Sequence, residues 1–544
     1  MKRVGTAELT LQLVWNRLLA IVEEQAQTLM RTAFSTVVRE AGDLSAGVFD
    51  PRGRMLAQAI TGTPGHVNAM AASVAKFLAV HPIETLVPGD VLLTNDPWIG
   101  TGHLNDFTAL TPVFHSDRCV ALFASTSHIA DVGGRGFGAD AGDLFEEGVR
   151  IPVLHLFRAG VRDETLIQLL AANVRDPVTA VGDLHSLAAC NDAGARALQS
   201  LLQEFGLSDL ETIGGEMLRR SAEAMRAEIR ALPAGVYRNA MTIDGYDEPL
   251  LLACALTVHA DGIDIDFAGS APASRFGINV PLPYTEAYAS FGVRCLVGGA
   301  IPNNAGSLAP IQVRAPQDSI LNAMPPRAVS ARHAIGQMLP DLVLGCLDAA
   351  LPGRAPAEGA SCIWNPVLRS MPGSGQPFVI NPIFNGGTGA RPGKDGLSTT
   401  AFPSGVRTTP TEINEITAPL VIWRREFRPD SGGAGQQRGG LGQVIEIAHR
   451  DGEAFLVSKM FDRIGHPARG RRGGGAGQPG WVSLSDGTAL RGKGLDRVPE
   501  GLRFVMATPG GGGMGSPVDR DRERHAEDVA AGLVSASSDA DERA

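Results

Sequence analysis

The stretch NDPWIGTGHLNDFTALTPVF, Asn95 to Phe114, holds a His and two Asp within twelve residues and then turns into a strand-like run. A second such run, CVALFASTS (Cys119 to Ser127), follows after only the polar tetrapeptide HSDR, His115 to Arg118. Two apolar, β-branched and aromatic runs joined by a short polar loop predict a β-hairpin. With the turn centred between Ser116 and Asp117, residues whose numbers sum to about 233 face each other. Asn105 then lies opposite His128 and Asp106 opposite Ser127, and opposed or diagonal side chains sit roughly 5–8 Å apart. His103, Asp106 and His128 therefore meet at the open end of one hairpin. Pro112, inside the first run, marks an edge position or a bulge, either of which shifts this register by a residue.

Two imidazoles and a carboxylate with room for exchangeable positions are a ligand set of catalytic zinc and of non-haem iron or manganese. The alternative reading of the same residues is a polar loop that caps a sheet with its His and carboxylates solvated. Further acidic groups weigh toward a cation. Asp131 follows in HIADVGGRGFG, and Glu40 and Asp43 lie in REAGDLSAGVFD just before another strand-like segment. Clustered carboxylates repel one another unless a cation or proton sits between them.

Working outward, 544 residues are enough for two or more domains and a large buried core. Sixty-six Gly and thirty-five Pro predict abundant turns and close backbone approaches, with loops building the working surfaces. A net charge of −10 leaves no basic footprint for nucleic acid. The basic cluster ARGRRGGGAG, around Arg469 to Gly477, reads as a flexible, solvated loop. Six scattered Cys form no C-x-x-C pair and read as small buried residues of a reducing compartment. No run of eighteen apolar residues or cleavable leader is present, which predicts a cytoplasmic protein without a membrane partner.

Along the chain, an apolar stripe predicts a long helix from Ala7 to about Val38, and DPRG after it marks a hairpin turn. A helix over Asn68 to Val80 follows the GTPGH turn, and VLLTND enters the candidate site as a buried strand. Ser208 to Leu232 reads as a surface helix, and Val236 to Gly269 as a β-meander turning at Asp-Gly. Arg332-His333 opens a further helix where an anion could bind, although a charge at a helix start is more often structural. The resulting expectation is a multidomain α+β chain with mixed helices and largely antiparallel sheets. Its divisions are an α+β metal-site domain over 1–232, a β-rich domain with Gly/Pro loops over 233–518, and a charged helix and tail over 519–544. None of the Gly-rich loops has the P-loop spacing, so no nucleotide site is inferred from them.

Several blocks, in order, resemble the hydantoinase B/oxoprolinase family: REAGDLSAGVFDPRGRMLAQ, PGDVLLTNDPWIGTGHLNDFTALTPVF, STSHIADVGG and EEGVRIP. NVRDPVTAVGDL, RPDSGGAGQQRGGLG and TPGGGGMGSPVDRDRERHAEDVAAGLVS extend the resemblance over nearly the whole chain. Members are metal-dependent subunits or halves of ATP-driven hydantoinases, 5-oxoprolinases, caprolactamase-like enzymes and acetone or acetophenone carboxylases. The resemblance implies that His103, Asp106 and His128 hold a divalent metal ion (Zn, Mn or Fe), with Asp43 as a further ligand. It also implies that ATP is handled by a separate hydantoinase A-type partner. The expected activity is hydrolysis of a small cyclic amide or ureide, with Asp131 or Glu40 as base or as orienter of a ligand imidazole. Ketone carboxylation and a non-catalytic assembly role are the alternatives.

Overall fold

The computed structural model describes residues 6–61, 63–373 and 377–536. Its first sheet is built from seven strands: β1 (Leu44–Phe49), β2 (Met55–Gln58), β3 (Val91–Thr94), β4 (Asp106–His115), β5 (Arg118–His128), β6 (Leu154–Arg158) and β7 (Val161–Arg162). Their order is β2-β1-β5-β4-β3-β6-β7, and every neighbouring pair is antiparallel. Both faces are covered, which is why the strands read as continuous apolar runs rather than as an alternation. Phe107, Ala109, Ala121 and Phe123 join the core beneath helices Thr6–Thr32 and Pro177–Phe205. Leu110, Leu122 and Ala124 point the other way, onto Met70, Val74 and Phe77 of helix Pro64–Val80.

The β4–β5 hairpin turns through Ser116 and Asp117, both in the left-handed region at φ 48° and 62°. That pair of values matches the two-residue turn whose twist suits a hairpin. Next to the turn the register is the expected one, His115 opposite Arg118 and Phe114 opposite Cys119. An irregularity between Val113 and Phe114, just past Pro112, then advances it by one residue. Asp106 therefore faces His128 directly, and Phe107 faces Ser127.

The long N-terminal helix ends at Thr32, six residues before the predicted Val38, and a short helix, Thr36–Arg39, follows. The break is held by Asp183, whose carboxylate accepts from the Phe34 and Ser35 amides. Helix Pro64–Val80 starts four residues earlier than predicted, because Pro64 opens its first turn rather than closing a loop. The predicted surface helix runs Glu211–Arg230, and the meander is Gly235–Ile243, Leu250–His259 and Gly262–Asp266, joined by a parallel strand, Ile311–Arg314. Two further four-stranded sheets follow, assembled from strands between Val367 and Ala507. The charged helix near the C-terminus runs Arg522–Ala530, and the end of the expected tail lies outside the described residues.

The glycine-rich segments make the expected close backbone approaches but differ from expectation in where they lie. They are packed against one another instead of forming exposed working loops. Residues 510–513, four consecutive glycines, are buried. The Gly510 and Gly513 amides donate to Gln478 and Gly475, those of Gly511 and Met514 to Gly440 and Gln437, and that of Gly512 to Glu358. Partners thus recur every third residue, the periodicity of a polyproline II-type helix, which has no internal hydrogen bonds to offer. A Cβ on Gly511 would lie 2.0 Å from the Thr388 carbonyl oxygen, so only glycine permits this approach. The basic cluster belongs to the same bundle. The Arg469 guanidinium donates to Glu358 at 2.6 Å and Arg471 to the Pro356 carbonyl at 2.8 Å, which fixes a segment read as flexible.

Candidate metal centre

Asp106 sits at the mouth of the hairpin, 1% exposed, at the centre of five polar groups. Its Oδ2 accepts from the Thr101 hydroxyl and the Arg332 guanidinium, both at 2.5 Å, and lies 2.9 Å from His66 Nε2. Its Oδ1 lies 2.7 Å from His103 Nε2 and 3.1 Å from His128 Nδ1. Burial alone would raise the Asp106 pKa, but the basic groups packed around it, Arg332 and His66 among them, outweigh it and hold the carboxyl well below its ordinary range. Burial would likewise depress His66, and there Asp106 and Asp43 prevail and raise the imidazole.

Local sequence explains how each group arrives. Asn95 ties the NDPWIGTGHLND loop down, donating to the Leu104 and Val149 carbonyls at 2.8 and 2.9 Å and accepting from the Ile151 amide at 2.6 Å. Asp96 is taken by Arg150, Nε to Oδ2 at 2.8 Å, and so serves the loop rather than the centre. Gly102, at φ 94°, turns His103 inward where a Cβ would press on Arg332 at 3.2 Å. Arg332 lies over the Tyr284 ring, 4.2 Å from its centroid, and also donates to the Thr101 carbonyl at 2.9 Å.

His103 Nδ1 lies 3.0 Å from the Ser330 carbonyl, which can only accept, so the ring proton is on Nδ1. Burial first, then Arg332, pushes the His103 pKa down to about 3, which keeps Nε2 bare. A bare nitrogen 2.7 Å from a carboxylate oxygen is an arrangement that a cation between them stabilises. Three further imidazole nitrogens at this centre are buried with no hydrogen-bond partner among the described residues: His66 Nδ1, His128 Nε2 and His333 Nδ1. All four histidines line one cavity of about 20 Å³, room for a single water-sized particle. Ligand atoms of His103, Asp106 and His128 lie within 4.8 Å of one another. The donor set and the space both fit one divalent cation.

The hairpin argument thus brings together the three side chains it named. Asp43 reaches the same cavity, where its Oδ1 accepts from the Thr63 hydroxyl at 2.9 Å and lies 3.5 Å from His66 Nδ1. The two expected bases are placed elsewhere. Asp131 is engaged by Arg175, Nη1 to Oδ1 at 2.6 Å, and Glu40 pairs with the neighbouring Arg39 at 3.0 Å. Neither bonds to the cluster among the described residues, because an arginine close in sequence or space takes each first. Arg332 serves Asp106 rather than an anion at a helix start, since the helix it precedes is a single turn, His333–Gly336. Sequence reading missed His66 and His333 as cluster residues. Pro at a helix start in TPGH was the available signal for His66; for His333, no local signal marks its distant partners.

An α+β chain with antiparallel sheets and a buried His/carboxylate centre at a hairpin mouth defines a candidate metalloprotein. The sequence profile of the hydantoinase B/oxoprolinase family matches residues 7–517, and the chain belongs to that family. It is 31% identical to 5-oxoprolinase 1 of Arabidopsis thaliana over 92% of its own length, while spanning only 41% of that relative. A Pseudomonas sp. (strain NS671) protein, provisionally named as the B-type component of a D-/L-hydantoinase, is 28% identical, with 97% of this chain and 93% of that one covered. The crystal structure of the ATP-dependent caprolactamase from Pseudomonas jessenii superposes with a TM-score of 0.88 at 25% identity, over 97% of this chain and 94% of that one. Acetone carboxylase, at 18% identity and a TM-score of 0.85 over 98% of this chain and 79% of that one, shares the fold. Among the described residues no helix is long and apolar enough to cross a membrane.

Proposed function

We propose that this chain is the metal-dependent B-type component of an ATP-driven hydrolase of cyclic amides or ureides. A hydantoinase A-type partner phosphorylates the ring carbonyl oxygen, and hydrolysis is completed at the hairpin mouth. The observation that carries this reading is the buried His103–Asp106–His128 cluster with its partnerless nitrogens, in a chain coextensive with a protein named for the B-type component of a hydantoinase. A divalent cation held there by His103, Asp106 and His128 would supply Lewis acidity, lowering the pKa of water and polarising the carbonyl.

The chain's own residues prepare that chemistry. The Ser330 carbonyl holds His103 in the tautomer that frees Nε2. Thr101, Arg332 and His66 occupy Asp106 Oδ2 and leave Oδ1 toward His103 and His128. Phe137, within 5.4 Å of both rings by centroid, keeps bulk water from them. Asp131 and Glu40 are committed to arginines, and neither is assigned the role of base.

The test is elemental analysis of the purified chain beside His103→Ala, followed by turnover of hydantoin, 5-oxoproline and caprolactam with an A-type partner and ATP. Near-stoichiometric metal lost in the variant, with ATP-dependent ring opening, supports the proposal. Metal in neither protein, or product labelled only by bicarbonate carbon, overturns the hydrolase reading.

A further inference from the structure

A second cavity, of about 530 Å³, lies beside the metal centre, and Phe137 lines both. Its volume suits a small-molecule ligand. One wall is the loop around Gly134–Ala141, and the other is formed by strands Val367–Ser370 and Val379–Ile380 with Ser458 and Leu495. Phe137 stands between glycines, Gly136 at φ 86° and Gly138, and its ring packs on His103, His128 and His333 at 5.1–5.6 Å between centroids.

Three guanidinium groups face this cavity, against the carboxylates of Asp131 and Asp140. Arg175 is neutralised by Asp131 at 2.6 Å, and Arg135 reaches Glu146 at 3.4 Å. Asp140 accepts the Tyr246 hydroxyl at 2.6 Å. Arg369 has no ion-pair partner among the described residues. Its Nη1 donates to the Arg135 carbonyl at 3.0 Å, and its Nε is buried without any acceptor. A half-buried guanidinium with a partnerless donor is costly unless something anionic completes it. Burial and the charge of Arg175 press its pKa below the ordinary value, against the opposing charges of Asp131 and Asp140, and an incoming anion would relieve that state.

We propose that the larger cavity is the substrate chamber and that Arg369 binds an oxyanion carried by the substrate, with Phe137 standing between it and the imidazoles. The ligand class is a small ring bearing a carboxylate or a phosphoryl group. Arginine pairs with either in a two-pronged fashion. The inference rests on the hydrolase reading only for the identity of the ring.

The test is calorimetric titration of the 544-residue chain with three probes: 5-oxoproline, its uncharged analogue 2-pyrrolidinone, and inorganic phosphate. Each is repeated on Arg369→Met and Arg369→Lys, with melting temperatures checked. Binding of 5-oxoproline but not 2-pyrrolidinone, weakened at least tenfold in Arg369→Met and partly restored in Arg369→Lys, identifies the anion as a substrate carboxylate. The same pattern for phosphate alone identifies it as the phosphoryl group. No binding of either anion, or equal binding by wild type and a folded Arg369→Met, overturns the proposal. Binding does not depend on turnover. Arg369-dependent binding without ring opening would therefore reject the hydrolase and keep the pocket.

Discussion

The hairpin mouth and the glycine bundle are both buried and polar, yet they solve the burial problem in opposite ways. At the hairpin mouth, side chains from distant segments surround one carboxylate, and several nitrogens remain without partners. In the bundle, backbone amides donate to backbone carbonyls from one segment to the next, with arginine side chains binding at its margin. Incomplete satisfaction marks a site for a ligand; complete satisfaction marks a scaffold. The difference predicts that the centre tolerates loss of a side chain, whereas the bundle does not tolerate gain of a single methyl.

The largest effect is therefore expected from Gly511→Ala. With its Cβ 2.0 Å from the Thr388 oxygen, it should destabilise the chain by more than about 4 kcal/mol, read as loss of soluble protein or of cooperative melting. A wild-type melting curve would break the comparison. His103→Ala should leave the chain folded at a cost of about 1–3 kcal/mol, from the Ser330 carbonyl left without its donor. Metal content by elemental analysis should fall to background. Retained stoichiometric metal would remove His103 from the ligand set.

A subtler effect concerns Glu147, which connects to the centre through backbone. Its Oε1 accepts from the Val329 and Ser330 amides, both at 2.7 Å, and Ser330 in turn orients His103. Burial pushes its carboxyl from 4.5 up to about 8, against the two amide hydrogen bonds that lower it. Below about pH 4.5 folded and unfolded chains both carry this proton. Between about 4.5 and 8 only the folded chain holds it, so this group's contribution to stability falls as pH rises and levels off above about 8. Glu147→Gln, neutral throughout, should flatten that decline in denaturant melts from pH 5 to 8. An unchanged slope would show that the carboxyl is ionised across that range. The smallest effect, of opposite sign, is expected from Gly215→Ala. It lies in helix Glu211–Arg230 with no atom within 4 Å of a new Cβ, and should gain about 0.5–1 kcal/mol by thermal melting. Destabilisation there would mean that glycines resist substitution for reasons other than backbone proximity.

What could be read from sequence differs between the two regions for a physical reason. The hairpin register follows from turn length and strand pattern, and Pro112 signalled the one-residue shift that sets Asp106 opposite His128. Asp43 was within reach because β1 pairs with β5, Leu44 opposite Ser127, which brings the acidic block to the same end. Asp131 and Glu40, from neighbouring acidic blocks, pair with arginines instead of with the cluster. Acidic residues near a cluster are as readily claimed by Arg175 and Arg39. In the bundle, the Gly and Pro content was visible, but hydrogen bonds between main chains leave no pattern of side chains to read.

By itself, the sequence determined the local elements: the two-residue hairpin turn, the helix stripes, the apolar strands and the ordered blocks of the hydantoinase B/oxoprolinase family. These depend on side-chain period and turn chemistry over a few residues, where the covalent chain already fixes the neighbours. Only the tertiary structure decided that His66, Arg332 and His333 would join the hairpin mouth, that Arg369 would face the larger cavity with no ion-pair partner among the described residues, and that the glycine segments would hold one another in place. Those outcomes set groups separated by tens to hundreds of residues within hydrogen-bonding range. Such proximity comes from packing whole elements together, which local preference does not encode.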